Sequence, residues 1–218
     1  MIVGLTNGAT VAVGSIFCIG RNYAEHISEM NPTAQAREIK PVVFCKPRNA
    51  LNTEVMITLP SASQEVHYET EIVVLLGKGG KNLSQAQAHA CIQAYGVGLD
   101  LTARDWQQQA KQDGLPWTLA KGFDGAASVS QFIPASELEI SQGLHFSLTL
   151  NGEIVQRGHS ADMLWTIDEQ IAYISQFCTL SAGDLLFTGT PAGVGRLHSG
   201  DNLQLNLMDS VQADFKVS

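Results

Sequence analysis

The sequence predicts a mixed-sheet α+β fold, sandwich-like rather than doubly wound. Three observations lead there. Strand and helix signals follow one another without a regular βαβ rhythm. Glycine is abundant, at 20 of 218 residues, which suits tight turns between strands. One hairpin is plain: two alternating runs, 146–150 and 153–157, are joined by Asn151-Gly152, a pair that takes positive φ at low cost. The length fits a single domain spanning 1–218, since domains commonly run roughly 100–200 residues. No linker, low-complexity tract or long repeat divides it.

Taken in order, residues 1–20 read as two short strands around Thr6-Asn7-Gly8. Residues 22–30 are polar with helical propensity, and Asn31-Pro32 breaks them, which predicts a short helix and a mobile connector to Lys40. Such a segment, about 22–40, beside a strand-rich core is a natural lid. PVVFCKP is a strand, and EVHYETEIVVLLG is another, rich in β-branched residues toward its end. Ser84 and Gln87 form a capping box opening a helix that ends before Gly96. YGVGLDLTA is a buried strand with Asp100 at its end, and 104–112 is helical up to Gly114. Thr166 and Glu169 cap a helix whose Ile167, Ile171, Ile174 and Cys178 share one face. DLLFTGTPAGVG runs from a strand into a glycine-rich loop, and SGDNLQLNL and VQADFKV close the sheet.

Composition excludes several function classes. Hydrophobic residues make up 44% and charged residues 16%, enough apolar content for a core and too little charge for a disordered chain. The formal net charge is −8, which repels phosphate backbones, and no basic patch offsets it, so no nucleic-acid partner is expected. No apolar run approaches the roughly 20 residues of a membrane span, so no membrane partner is expected. The apolar N-terminus lacks a basic leader and does not read as a signal peptide. Cys18, Cys45, Cys91 and Cys178 lie far apart with no CxxC pair, which predicts reduced, mostly buried thiols in a cytoplasmic protein.

The sharpest chemical signal is Glu69-Thr70-Glu71 at the head of an apolar strand. Residues i and i+2 of a strand share a face, so two carboxylates project together. Side by side they repel, and a divalent cation relieves both the repulsion and the cost of desolvation. Oxygen donors without nearby His or Cys suit Mg²⁺, Mn²⁺ or Ca²⁺. Asp100 is a third donor of the same type. On pattern alone, a solvent-facing edge bearing two glutamates is the more economical reading. His26 and Glu29 fall at i and i+3 of a helix, where a carboxylate orients an imidazole as a general base; a surface pair of little consequence has the same spacing. Arg21, Lys46 and Lys121 are isolated bases that suit either an anionic substrate or ion pairs with the named acids. Arg104-Asp105 has the look of a helix start, and the loop 189–195 offers backbone N–H groups to an anion or simply turns.

Together, IGRNYAEHISEM, KPRNAL, VHYETEIVVLLG, YGVGLDLTARDWQ, GLPWTLAKGFDG, LNGEIVQRG and LLFTGTPAGVG resemble the fumarylacetoacetate hydrolase family over nearly the whole chain, and most closely its small acylpyruvate hydrolase and oxaloacetate decarboxylase branch. The resemblance implies an α+β fold, a mixed β-sandwich roll with a few peripheral helices, and a homodimer. It implies Glu69, Glu71 and Asp100 as ligands of Mg²⁺, or of Mn²⁺. It implies His26, Glu29 and Lys121 as catalytic residues and Arg21, Gln107 and Thr190 as substrate contacts. The implied substrate is a small 2-oxo acid, cleaved between C3 and C4 as an acylpyruvate or decarboxylated as oxaloacetate. Isomerisation or tautomerisation of 2-oxo dicarboxylates is the alternative within the family, and a non-catalytic metal-stabilised binding module the alternative outside it. The metal reading requires the three acids to share a common point not already held by a lysine ammonium.

Overall fold

The structure, a computed structural model, describes residues 1–30 and 40–218. Strands β1 (Ile2–Gly4) and β2 (Thr10–Ala12) form an antiparallel hairpin, and β3 (Ile16–Gly20) follows. Residues 1–20 thus hold three strands rather than two. Helix α1 (Ala24–Met30) stands where a short helix was expected, while 31–39, most of the expected lid, lie outside the described residues. Next come β4 (Val42–Lys46), β5 (Leu51–Asn52), β6 (Met56–Ile57), β7 (Val66–Tyr68) and β8 (Thr70–Leu76). Helix α2 (Gln85–His89), β9 (Ile92–Asp100), β10 (Thr102–Ala103), α3 (Arg104–Asp113) and α4 (Thr118–Lys121) occupy the middle. The chain finishes with β11 (Ala127–Val129), β12 (Ile133–Pro134), β13 (His145–Leu150), β14 (Glu153–His159), α5 (Ile167–Ser175), β15 (Leu185–Phe187), β16 (Gly195–Arg196), β17 (Asn202–Leu207) and β18 (Val211–Val217).

The result is the expected mix of strands with few helices, built on a curled sheet. Its spine is a mixed sheet in the order β4-β3-β15-β8-β9-β11-β5, with β12 added on β9. A second sheet, β14-β13-β17-β18-β6, packs against one side, and a small sheet, β10-β7-β16, borders the site. Strands β17 and β18, expected to close the main sheet, build the second one instead. The reason is the core. Strand β8 is buried along its whole length, as its near-continuous apolar run requires. Ile72, Val74 and Leu76 face the large core shared with the second sheet, including Leu148, Leu205 and Phe215. Val73 and Leu75 face a smaller core with Ile16, Leu185 and Phe187.

Three local expectations need correction. The 65–77 stretch is two strands, because the chain changes sheet at Glu69: β7 pairs with β10 and β16, β8 with β15 and β9. Helix α2 is capped by Ser84 as expected, but it stops at His89, and β9 starts at Ile92, claimed by pairing with β8. Cys178 lies beyond the end of α5 and is exposed, as is Cys45, so only Cys18 and Cys91 of the four free thiols are buried. The Asn151-Gly152 turn is as read, with both residues at positive φ.

Candidate active site and metal centre

Strand register alone brings the three acids together. Glu71 lies opposite Gly98 in the β8–β9 ladder. Two residues back, Glu69 falls opposite Asp100, and the Asp100 N–H donates to the Glu69 carbonyl at 2.9 Å. Glu69, Glu71 and Asp100 therefore project from one face of two neighbouring strands, which is also the face of Val73. One oxygen from each lies within 4.8 Å of the others, and all three are buried. The solvent-facing edge is thereby excluded: Glu69 is 5% exposed, Glu71 2% and Asp100 1%.

Buried charge demands partners. Lys121, from α4, donates to Glu69 Oε2 at 2.9 Å and to Asp100 Oδ2 at 2.8 Å. Lys46, from β4, places Nζ 2.7 Å from Asp100 Oδ1 and also donates to the Leu101 and Lys121 carbonyls. Arg104, the first residue of α3, pairs with Glu69 through Nη2 and donates from Nη1 to Gln107 Oε1 at 2.9 Å. Glu71 receives one hydrogen bond, from the Gly189 N–H at 2.7 Å, and no basic side chain pairs with it among the described residues. The glycine-rich loop does present an N–H to an anion, and the anion is the protein's own. Gly189 also comes so close to Asn22 that a Cβ there would meet its side chain at 2.6 Å, at a φ of 103°.

The electrostatics follow this pairing. Burial alone would raise the Glu69 carboxyl, but Lys121 and Arg104 beside it hold it well below the usual carboxylate range. Burial, reinforced by Asp100 and Glu69, pushes the Glu71 carboxyl well above it. Burial works against the Lys121 ammonium, yet Asp100 and Glu69 hold its pKa above the ordinary lysine value. Glu71 is thus the acid still wanting a cation.

Whether a divalent metal fits can be judged from these contacts. The requirement of a point free of lysine ammonium is not met at Glu69 and Asp100, which Lys121 bridges; of the three acids only Glu71 is free of one. A carboxylate offers about four lone-pair sites, so the hydrogen bonds to Glu69 and Asp100 leave donors in hand. The donor set is all oxygen, which matches a hard cation. The residues present fit such an ion.

These acids line a cavity of about 310 Å³ together with Arg21, His26, Arg104, Gln107, Lys111, Lys121 and Thr190. His26 is buried on α1, with Nδ1 3.3 Å from Glu29 Oε2. Glu29 in turn accepts from the Gly193 N–H at 3.2 Å, so the loop after β15 braces the pair. Thr190 donates to the Thr70 carbonyl at 2.8 Å and accepts from Gln156 Nε2 at 2.9 Å. Arg21 is exposed and left-handed, at φ 63°, a conformation that costs a non-glycine residue about 1–2 kcal/mol.

The nine residues implied by the family resemblance all meet at this site, although Glu29 braces it from behind His26 rather than lining the cavity. Two were missed. Arg104 looked like a helix start, and only the fold shows its guanidinium on Glu69. Gln156 is the one buried residue of β14, and its Oε1 accepts the Thr70 N–H at 3.0 Å, tying the head of β8 to the loop. Its amide at an inward position of an alternating strand was the available signal.

A family model, fumarylacetoacetate (FAA) hydrolase C-terminal, matches residues 15–217. The chain belongs to the fumarylacetoacetate hydrolase family. It is 40% identical over 204 residues to the mitochondrial oxaloacetate tautomerase FAHD1 of Mus musculus, covering 93% of this chain and 91% of that one. It is 44% identical over 193 residues to oxaloacetate tautomerase YcgM of Escherichia coli, covering 88% and 87%. The fumarylpyruvate hydrolase of Pseudomonas aeruginosa, solved with Mn²⁺ and pyruvate, superposes with a TM-score of 0.95 at 33% identity, covering 100% of this chain and 95% of that one. Among the described residues, no helix is long and apolar enough to cross a membrane.

Proposed function

We propose that the chain is a divalent-metal-dependent enzyme that moves the proton on C3 of a 2-oxo acid, with keto–enol tautomerisation of oxaloacetate as its reaction. One observation carries this: three buried carboxylates, a fixed ammonium and a carboxylate-oriented imidazole share one cavity. The relatives named oxaloacetate tautomerase support the substrate.

Glu69, Glu71 and Asp100 would hold Mg²⁺ or Mn²⁺. When bound, the cation supplies Lewis acidity to substrate oxygens. Glu29 fixes the His26 ring through Nδ1, which leaves Nε2 as the nitrogen that takes a proton. His26 removes the C3 proton and returns it at the C2 oxygen, so one proton moves and none is consumed. Lys121, held protonated by its two acids, supplies fixed positive charge to the oxygen that becomes electron-rich. Arg21, Gln107 and Thr190 contact the substrate, and Arg104 orients Gln107 through its Nη1 hydrogen bond.

A second reading rests on the same braced His26–Glu29 pair and on the likeness to a fumarylpyruvate hydrolase. His26 would deprotonate a water that attacks C4 of an acylpyruvate; the C3–C4 bond breaks, and C3 takes the proton back. Decarboxylation of oxaloacetate needs no water at all. A panel of oxaloacetate, acetylpyruvate and fumarylpyruvate, run with Mg²⁺ and with Mn²⁺, separates the outcomes. Loss of enol-oxaloacetate without pyruvate release is expected. Pyruvate as the faster product would replace tautomerisation by cleavage, and no turnover of any substrate would refute both.

A further inference from the structure

Two cations on the rim of the cavity have no counter-charge among the described residues. Lys111 and Arg21 both line it, and neither makes an ion pair with a carboxylate among the described residues. The cations farther in are all matched: Lys121 and Arg104 to Glu69, Lys46 to Asp100. Lys111 is instead held by neutral groups. Its Nζ is 3.3 Å from Gln107 Oε1 and lies 5.3 Å from the centre of the Trp117 ring. It stands on the same side of α3 as Arg104 and Gln107, three and four residues apart, so one helix presents all three to the cavity. Burial, with Arg104, Arg21 and Lys121 nearby, lowers the Lys111 pKa. Lys111 and Arg21, near one another and paired with no carboxylate of the described residues, form a site for an anion.

We infer that Lys111, with Arg21, binds the distal carboxylate of a 2-oxo dicarboxylate and so selects dicarboxylates over monocarboxylates. This rests on the reading of the cavity as a 2-oxo acid site. The inner acids and Lys121 engage the 2-oxo acid end. The rim pair stands where a second negative charge at the far end of the substrate would be met. The Trp117 ring and the Gln107 amide oxygen hold the Lys111 ammonium without neutralising it, which is what a reader of charge requires. A monocarboxylate leaves the rim pair unmatched and gains nothing from it.

The test uses a matched pair of unreactive probes, 2-oxoglutarate and 2-oxopentanoate, which share a five-carbon chain and differ in the terminal carboxylate. Calorimetry on the Mn²⁺-loaded full chain should show 2-oxoglutarate bound roughly ten- to a hundredfold more tightly, the range of one charge-assisted hydrogen bond. Lys111→Met keeps an unbranched side chain of similar length and removes the charge; it should erase the preference by weakening 2-oxoglutarate and leave 2-oxopentanoate within about twofold. Lys111→Arg should restore the preference. No preference in the parent protein, or equal weakening of both probes in Lys111→Met, would overturn the assignment. Preference with no turnover of any 2-oxo acid would refute the proposed reaction and leave the rim assignment standing. If neither probe binds the metal-loaded parent, both readings fall.

Discussion

The two halves of the 69–76 segment are buried alike and stabilised by opposite means. Ile72 to Leu76 are apolar, and their burial is favourable wherever they meet other side chains. Glu69 and Glu71 are charged, and their burial is costly unless distant parts of the chain compensate it. Those parts are Arg104 on α3, Lys121 on α4 and the Gly189 N–H beyond β15. The apolar half makes the fold. The acidic half uses the fold to gather groups that would otherwise repel, which is the usual signature of a site that spends stability on chemistry.

The contrast can be broken most sharply at Glu71. Glu71→Gln removes the acid that has no cation, so turnover should fall by roughly a thousandfold or more, about 4 kcal/mol of barrier. Its melting temperature should hold or rise, because a buried charge has been removed. A steep loss of stability in that variant would mean that Glu71 serves the fold. Lys121→Met leaves Glu69 and Asp100 short of a partner and should cost about 3–5 kcal/mol, the range for one-sided removal of a buried pair. Thermal melts should then show a larger rise on adding Mn²⁺ than the parent protein shows, since the ion replaces the missing charge. Val74→Ala, in the apolar half, should lower stability by about 1–3 kcal/mol, or roughly 2–12 °C, with kcat per folded molecule unchanged. Loss of kcat there would erase the division between the halves.

The smallest effect is expected at Asp105, where α3 begins. Although burial opposes it, hydrogen bonds from Ser63 Oγ and from the Gln64 and Trp106 N–H groups lower its pKa. A carboxyl lowered in the folded state stabilises above its unfolded pKa, near 3.9, and that contribution fades as pH falls through the folded value. Asp105→Ala should therefore melt a few degrees lower at pH 7, with the gap closing in acid. A gap independent of pH would assign the effect to packing.

Much of this was legible in the sequence, for identifiable reasons. Glu69 and Glu71 sit two residues apart in a strand, and that period is independent of what the strand packs against. The Asn151-Gly152 hairpin and the two capping boxes are local, so local residues specify them. What was not legible is long-range. Pairing with β8 ends α2 at His89, and no residue near 90 announces it. The break at Glu69 depends on β10 and β16, which lie far along the chain. Arg104 hides its role because an arginine at a helix start is ordinary until the Glu69 carboxylate is found beside it. The ammonium of Lys121 on two of the three acids was the outcome the metal reading least wanted, and Glu71 is what keeps that reading open.

Electron paramagnetic resonance of Mn²⁺ titrated into the metal-free protein tests this most directly. One bound ion per chain is expected in the parent, with loss of the bound signal in Glu71→Gln. Free Mn²⁺ throughout the titration of the parent protein would mean that Lys121 alone satisfies the cluster, and would contradict that expectation.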